Sequence, residues 1–262
     1  IGAAMAGRKP VAEIMVVAVA MVCMDQIANH AAKLRYMSGG RTSVPITIRM
    51  LTAGNVGSFG AQHSQSLEAW FAHIPGLKIL APSNAFDAKG LLLSAIHDPD
   101  PCLVIEAMRC FFVPGEFGAG DYRVPIGKAA VRQEGSDVTL ISYSWGMQEV
   151  FAAAADLAKS GVSAEIIDLR SIVPLDFNTV RASVRKTGRA VIAHPAVEFC
   201  GFGAELSAKL HEELFSELKA PVARVGARYT PIPFNQGLEA LHFPNAERVK
   251  AAARKALKGD RA

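Results

Sequence analysis

The feature that most constrains the fold of this chain is an alternation of short apolar runs with longer amphipathic stretches. The apolar runs, such as "CLVIEA" (102–107) and "AEIIDL" (164–169), are nearly continuous, as in parallel strands covered on both faces. Short connectors between strand, helix and next strand indicate βαβ units on a parallel sheet. Strands are predicted at 11–15, 44–50, 77–82, 102–107, 138–144, 164–169, 190–194 and 222–227, and helices at 25–37, 66–74, 85–98, 146–159, 176–187, 203–215 and from about 245.

The alternation is interrupted once, between residues 111 and 136. This stretch, "FFVPGEFGAGDYRVPIGKAAVRQEGS", begins with clustered glycine and proline and continues as an extended piece, which is typical of a connection between domains. A chain of 262 residues is long enough for two domains of ordinary size. We therefore predict an α/β fold of two tandem parallel-sheet domains, at 1–118 and 137–262, joined by a linker at 119–136.

Composition excludes several classes of function. The net charge is only +4 and the lysines and arginines are scattered, so nothing supports nucleic-acid binding. The apolar run at 14–24 is shorter than the roughly 20 residues that a membrane-spanning helix needs. The four cysteines lack the spacing of metal ligands, and we expect buried thiols in a reducing compartment, the cytoplasm or, in a eukaryote, the mitochondrial matrix.

The glycine-rich stretch "AGNVGSFGAQHSQSLEAW" (53–70) is the clearest candidate for a functional loop. Its glycines follow the pattern G-x-x-G-x-x-G, which is not the dinucleotide fingerprint, and it lacks the Lys-Ser/Thr ending of a phosphate loop. The loop leads to His63, which stands just before a predicted helix. Residue chemistry alone leaves two roles open for His63, a functional imidazole or a structural one.

Many short motifs in order carry a resemblance to a known family. They include "DQIANHAAKLRYMSGG", "GAQHSQSLEAWFAHIPGLKILAPSNAFDAKGLLLSAIHDPDP", "DLRSIVPLDFNTVRASVRKTGR" and "APVARVGARYTPIP". Together they resemble the β subunit of the thiamine-diphosphate-dependent 2-oxoacid dehydrogenases of pyruvate, branched-chain and acetoin type, over essentially the whole chain. The resemblance implies a transketolase-type pyrimidine-binding domain followed by a transketolase C-terminal domain.

The resemblance also implies an activity and its partners. Such a chain belongs to an α2β2 heterotetramer in which the α subunit holds the diphosphate and magnesium and the β subunit receives the aminopyrimidine. The enzyme decarboxylates a 2-oxoacid and passes the acyl group to lipoyl on a dihydrolipoyl acyltransferase core. His63 matches the family histidine of the active-site channel. Met15 matches a pyrimidine contact, and Val19 stands where an aromatic residue is common.

A structural monovalent cation is a further expectation from the resemblance. In related β subunits, the turn "SAIHDPDP" (94–101) and a nearby strand supply oxygen ligands, which map here to Ile46, Ala95, Asp98 and Asp100. Oxygen ligands suit a hard cation. Residue chemistry alone favours a simpler interpretation, a solvated loop in which prolines end a helix.

Two alternatives stay open at this point. The activating glutamate of the family matches a position before Ile1, and the chain begins without methionine in what reads as a helix end, so we expect an N-terminally shortened chain. A shortened chain could instead be a non-catalytic assembly or scaffold subunit. A single-chain transketolase-like enzyme is the third possibility, and it requires a diphosphate-binding domain upstream.

Overall fold

The computed structural model describes residues 1–259 and contains two parallel-dominated sheets with helices packed against them. The strands of these residues are β1 (Val11–Ile14), β2 (Thr47–Thr52), β3 (Lys78–Leu80), β4 (Cys102–Ala107), β5 (Ala130–Gln133), β6 (Val138–Ser142), β7 (Ala164–Asp168), β8 (Ser171–Val173), β9 (Ala190–Val197) and β10 (Ala223–Ala227). The α-helices are α1 (Gly2–Met5), α2 (Leu34–Met37), α3 (Gly60–His63), α4 (Glu68–Ala72), α5 (Ala85–His97), α6 (Gly146–Ala158), α7 (Phe177–Thr187), α8 (Phe202–Leu214), α9 (Gln236–His242) and α10 (Ala246–Lys258).

The first sheet has the strand order β1-β2-β4-β3-β8. Its first four strands are parallel, and β8 pairs antiparallel with β3 at the edge. Strand β8 belongs to the second half of the chain, so the two halves are joined through the backbone of a shared sheet. The sequence pattern did not predict β8, which has only three residues.

The second sheet has the order β10-β9-β6-β7-β5. Strands β10, β9, β6 and β7 are parallel, and β5 closes the other edge antiparallel to β7. The predicted α/β fold with two parallel-sheet domains in tandem is therefore confirmed as a fold class. Strand β5 lies inside the segment predicted as a linker, and the predicted domain boundaries stay a prediction.

Burial explains the nearly continuous apolar runs. Every residue of β6 and β7 is buried, as are five of the six residues of β4. One hydrophobic cluster contains Leu103 of the first sheet together with Ile141 and Ile167 of the second. The two halves therefore share a core, which opposes their separation because parting them would expose apolar surface.

The segment between β1 and β2 differs from the single helix predicted at 25–37. It consists of a 3-10 helix at Val17–Cys23, a π-helix at Gln26–Ala31 and the short α2. The valines of the "VVAVAMV" run (16–22), which covers most of the 3-10 helix, are stiff at χ1 and lower the α-helix propensity there. Gly39 and Gly40 follow α2 with φ of +62° and +82° and end it, as the sequence predicts.

A buried ionic network also connects the two sheets. Asp87, at the start of α5, forms ion pairs with Arg132 of β5 and with Arg170. The Asp87–Arg170 pair has a nitrogen–oxygen distance of 3.2 Å. Asp168, at the end of β7, lies 3.1 Å from Arg132 and accepts a hydrogen bond of 2.6 Å from Ser83. Both carboxylates are fully buried. Burial raises the pKa of Asp168, while Ser83 and Arg132 act in the opposite direction.

No helix within residues 1–259 combines the length and the hydropathy that crossing a bilayer requires.

Candidate functional site

The glycine-rich loop runs from the end of β2 into α3, which ends at His63. Asn55, Gly57, Ser58 and Gly60 have φ of +61°, +98°, +64° and +68°, so the loop contains four left-handed positions within six residues. The Ala53 N–H donates a 3.2 Å hydrogen bond to the His63 carbonyl and closes the loop. This conformation needs glycine or small polar residues, which explains the composition of the stretch.

The second half of the chain packs directly on this loop. A Cβ at Gly54 would lie 2.8 Å from the Ser64 carbonyl oxygen and 3.0 Å from the Phe243 ring. A Cβ at Gly57 would lie 3.1 Å from the side chain of Gln236, the first residue of α9. The glycines therefore allow a close approach of the C-terminal segment as well as the left-handed turns.

The predicted catalytic and cofactor residues lie at one edge of the first sheet. Strands β1 and β2 are parallel neighbours, so Met15 after β1 and the loop after β2 emerge side by side. The 3-10 helix that contains Val19 packs against α3, which ends at His63. The exposed fractions are 77% for Met15 and 50% for Val19, and His63 is also exposed.

This arrangement has a definite chemical character. It combines exposed apolar side chains, suited to the face of a heterocyclic ring, with an imidazole that can serve as a general acid or base. Exposed apolar side chains beside a polar loop are typical of a surface that another molecule covers.

The four residues predicted to hold a cation are satisfied within the chain. The Ile46 carbonyl accepts from the Cys102 N–H at 2.9 Å, and the Ala95 carbonyl accepts from the Asp98 N–H at 3.2 Å. The carboxylates of the two other cation candidates, Asp98 and Asp100, are both paired with the same counter-charge.

That counter-charge is Lys78. Its ammonium lies 2.6 Å from the carboxylate of Asp98 and 3.2 Å from that of Asp100, and Arg35 lies 2.6 Å from Asp100. Burial disfavours the Lys78 ammonium, but the two carboxylates outweigh it, so the pKa of Lys78 is raised. Within residues 1–259, no three His, Cys, Asp or Glu side chains converge as metal ligands would.

A cavity of about 790 Å³ lies behind the loop, between the two halves of the chain. Its lining is largely apolar and includes Trp70, Phe199 and Phe243. His242 also lines it, with a buried Nε2 that has no hydrogen-bond partner among the described residues, while its Nδ1 lies 3.2 Å from the Thr230 hydroxyl. Burial, reinforced by nearby Arg228 and Arg248, lowers the pKa of His242.

The motif "GFGAEL" (201–206), at the start of α8, packs against β9. A Cβ at Gly203 would lie 2.6 Å from the ring of His194 on β9, and one at Gly201 would lie 2.7 Å from it. These glycines therefore allow close packing of the helix on the strand. Burial lowers the pKa of His194 to about 4.

The prediction that all four thiols are buried is wrong for Cys200, which is exposed. Cys102 is buried, Cys23 and Cys110 are half-buried, and all four are free. Cys200 lies in a left-handed turn before α8, with φ of +54°, and the turn presents its side chain to solvent.

Comparisons with known proteins agree with this architecture. The family described as transketolase, pyrimidine binding domain, matches residues 1–109, and transketolase, C-terminal domain, matches residues 127–249. The acetoin:2,6-dichlorophenolindophenol oxidoreductase subunit beta of Cupriavidus necator is 43% identical over 259 residues, covering 99% of this chain and 76% of that protein. The mitochondrial pyruvate dehydrogenase E1 component subunit beta of Caenorhabditis elegans is 44% identical and covers 98% of this chain and 74% of that protein. The chain belongs to the family of pyruvate and acetoin dehydrogenase β subunits.

A solved structure of the same fold extends the comparison. A split-gene transketolase, described as an inactive beta4 tetramer, aligns with a TM-score of 0.78 at 25% identity, over 99% of this chain and 79% of that one. The resemblance to the β-subunit family and the transketolase-type fold are thereby confirmed. The roles of His63, Met15, Val19 and the four cation candidates stay predictions.

Sequence reasoning missed one part of the site, helix α9 and its Glu239. The Glu239 Oε1 accepts a 3.1 Å hydrogen bond from the Asn55 N–H in the glycine-rich loop. A signal for the helix was present, because Asn235 is an N-cap residue and its side chain accepts from the Leu238 N–H at 3.2 Å. No local signal connects this helix with the loop, because Glu239 and Asn55 are 184 residues apart.

Proposed function

We propose that this chain is the β subunit of a thiamine-diphosphate-dependent 2-oxoacid dehydrogenase of pyruvate or acetoin type. The enzyme decarboxylates a 2-oxoacid and transfers the acyl group to lipoyl on a dihydrolipoyl acyltransferase core. The observation that carries the proposal is the placement of Met15, Val19 and His63 on adjacent elements at one exposed edge of the first sheet.

The exposed edge fits the pyrimidine end of the cofactor. When bound, thiamine diphosphate supplies the carbanion chemistry that cleaves a 2-oxoacid beside its carbonyl. Met15 and Val19 offer apolar contact to the aminopyrimidine. They lack the stacking interaction that an aromatic residue would add, which contributes about 0.5–1.5 kcal/mol.

The remaining parts of the cofactor site belong to a second chain in this proposal. The glycine-rich loop is packed against α9 and lacks a phosphate-loop lysine, so it does not hold a diphosphate. An α subunit would hold the diphosphate and magnesium in an α2β2 heterotetramer. The free thiols suit a reducing compartment, the cytoplasm or, in a eukaryote, the mitochondrial matrix.

His63 would act on protons and on substrate position. An exposed imidazole at the end of α3 can donate a hydrogen bond to the 2-oxoacid or the incoming lipoyl group, and can transfer a proton as a general acid or base. The His63 carbonyl accepts a hydrogen bond from the Ala53 N–H, so the conformation of the loop sets the position of the His63 ring.

A structural monovalent cation forms the last part of the proposal. The carbonyl oxygens of Ile46 and Ala95 and the carboxylates of Asp98 and Asp100 are hard ligands of the kind that such an ion takes. The ion would compete with the Lys78 ammonium for the two carboxylates.

The proposal is tested by co-expressing this chain with a cognate α subunit. Activity is measured as 2-oxoacid-dependent reduction of an artificial electron acceptor in the presence of thiamine diphosphate and magnesium. We expect His63→Ala to lower the rate by a factor of about 100 or more, as for loss of a group that transfers protons. The matched variant His97→Ala, in an exposed position on α5, should keep the wild-type rate. An unchanged rate and unchanged lipoyl acylation in the His63→Ala tetramer would contradict the role of His63.

The solved relative described as an inactive beta4 tetramer favours one alternative, an assembly subunit without activity of its own. This alternative predicts that the chain assembles with the α subunit but that the complex turns over none of the 2-oxoacids tested. A tetramer of the chain alone would not decide between the two, whereas turnover by the mixed complex would exclude the assembly role.

A further inference from the structure

We infer that Glu239 is a positioning residue for His63, acting by holding the glycine-rich loop in place. This inference rests on the proposed function, since it assumes that His63 serves the reaction. Glu239 contacts neither the proposed cofactor residues nor His63 itself in the hydrogen-bond network of residues 1–259. It acts through the loop.

The first support is the environment of the Glu239 carboxyl group. The residue is 1% exposed and forms no ion pair among the described residues, yet its Oε1 accepts the Asn55 N–H at 3.1 Å. Burial raises the pKa of Glu239, while the hydrogen bond from the Asn55 N–H stabilises the charged form. A buried carboxyl group whose hydrogen-bond donor comes from a loop is placed to hold that loop.

The second support is the conformation of the loop. Asn55 and Ser58 are non-glycine residues with φ above +60°, a region that is uncommon for non-glycine residues and that serine adopts less readily than asparagine. The loop's own hydrogen bond, from the Ala53 N–H to the His63 carbonyl, fixes its two ends but not its middle. The middle is held from outside, through the Asn55 N–H.

The third support is that α9 is itself rigidly placed. The Arg228 N–H, just after β10, donates to the His242 carbonyl at 3.0 Å, and the Arg228 Nε donates to the Leu241 carbonyl at 2.9 Å. Phe243, directly after α9, is 1% exposed and packs against Trp145 and against Gly54 of the loop. The second sheet therefore fixes α9, α9 fixes the loop, and the loop carries His63.

The test uses the complex of this chain with its α subunit and three variants. Glu239→Ala removes the acceptor for the Asn55 N–H, and Glu239→Gln keeps an acceptor oxygen but removes the charge. Glu247→Gln is the matched control, because Glu247 is also an acidic residue in the first turn of a helix, α10, but is exposed. Readouts are amide hydrogen exchange of residues 54–60, and separate kcat and KM values for the 2-oxoacid.

We expect Glu239→Ala to speed exchange of the loop amides by about tenfold or more, while amides of β6 and β7 stay protected. In the same variant kcat should fall by about tenfold or more at a nearly unchanged KM, because a misplaced His63 weakens the reaction rather than 2-oxoacid binding. Glu239→Gln should give a smaller change of both quantities, and Glu247→Gln none.

Unchanged loop exchange in both Glu239 variants would overturn the inference, even if activity fell. Faster loop exchange with unchanged kcat would also overturn it, because the loop would then not position a group that matters. Failure of the proposed function gives a different result: the wild-type complex itself would show no turnover, whereas loop exchange could still respond to Glu239. If Glu239→Ala does not fold, Glu239→Gln carries the test.

Discussion

The two halves of this protein share one sheet plan but differ in the helices that cover it. Each sheet has four parallel strands and one antiparallel edge strand. In the second half, α6, α7, α8 and α10 are regular helices of 11 to 13 residues, and α7 and α10 end at left-handed glycines. In the first half only α5 reaches that length, and a 3-10 helix, a π-helix and a short α-helix follow β1.

The difference shows in what each half leaves exposed. After β1, Met15 and Val22 are 77% and 88% exposed, whereas after β6 the apolar side chains of Trp145 and Met147 are buried. An irregular, apolar and exposed segment suits a surface that another chain completes. The regular half acts as the scaffold, and through α9 it also supports the loop of the first half.

The largest loss of folding stability is expected from breaking the ionic network that joins the two halves. Asp168→Ala leaves the partly exposed Arg132 with one carboxylate partner fewer and the buried Ser83 hydroxyl without its acceptor. We expect a loss of about 3 kcal/mol of unfolding free energy, because a buried charge-assisted hydrogen bond from Ser83 and one ion pair of Arg132 are removed. Urea unfolding followed by circular dichroism measures it.

The surface variant Asp156→Ala, which removes exposed pairs with Lys159 and Lys250, is the control and should change stability little. If Asp168→Ala were as stable as Asp156→Ala, the network would not hold the two halves together.

A smaller change in folding stability, which depends on pH, is expected from His194 in the second half. Its pKa is about 4 in the folded chain, below the ordinary value of 6.5. Between these values the unfolded chain binds the extra proton, so stability is full above about pH 6.5 and falls as the pH drops towards 4. From about pH 7.5 to about pH 5 the loss should be roughly 2 kcal/mol.

Urea titrations at several pH values check this prediction. His194→Gln should be less stable at neutral pH, since it disturbs packing against Gly203, but should lose this part of the pH dependence. The exposed His97→Gln should keep the wild-type pH dependence. A wild-type slope in His194→Gln would show that another group is responsible.

The features that the sequence predicted correctly are those that local residues determine. The bounds of β4 were predicted correctly, because its residues are buried on both faces and bordered by Pro101. The helix predicted at 85–98 is observed as α5, and Asn84, a residue type favoured at N-caps, accepts from the Asp87 N–H at 2.9 Å. Strand β2 begins at Thr47 rather than at 44, since Pro45 has no N–H to donate to a neighbouring strand.

What sequence reasoning missed depends on contacts between distant parts of the chain. Strand β8 has three residues and pairs with the other half of the chain, so no local period marks it. Glu239 is 184 residues from the loop amide that it accepts from. Residue chemistry made His63 a candidate, and the resemblance to the β-subunit family made Met15 and Val19 candidates. The support that the second half gives to the loop was not predictable from the sequence.

The central claim is that a second chain completes the irregular face of the first half. The most direct measurement compares amide hydrogen exchange of this chain alone with that of its complex with the α subunit, thiamine diphosphate and magnesium. We expect strong new protection at residues 15–23 and 54–63, with little change in α6 and α7. Protection confined to the second half, with residues 15–23 exchanging as fast as in the chain alone, would contradict it.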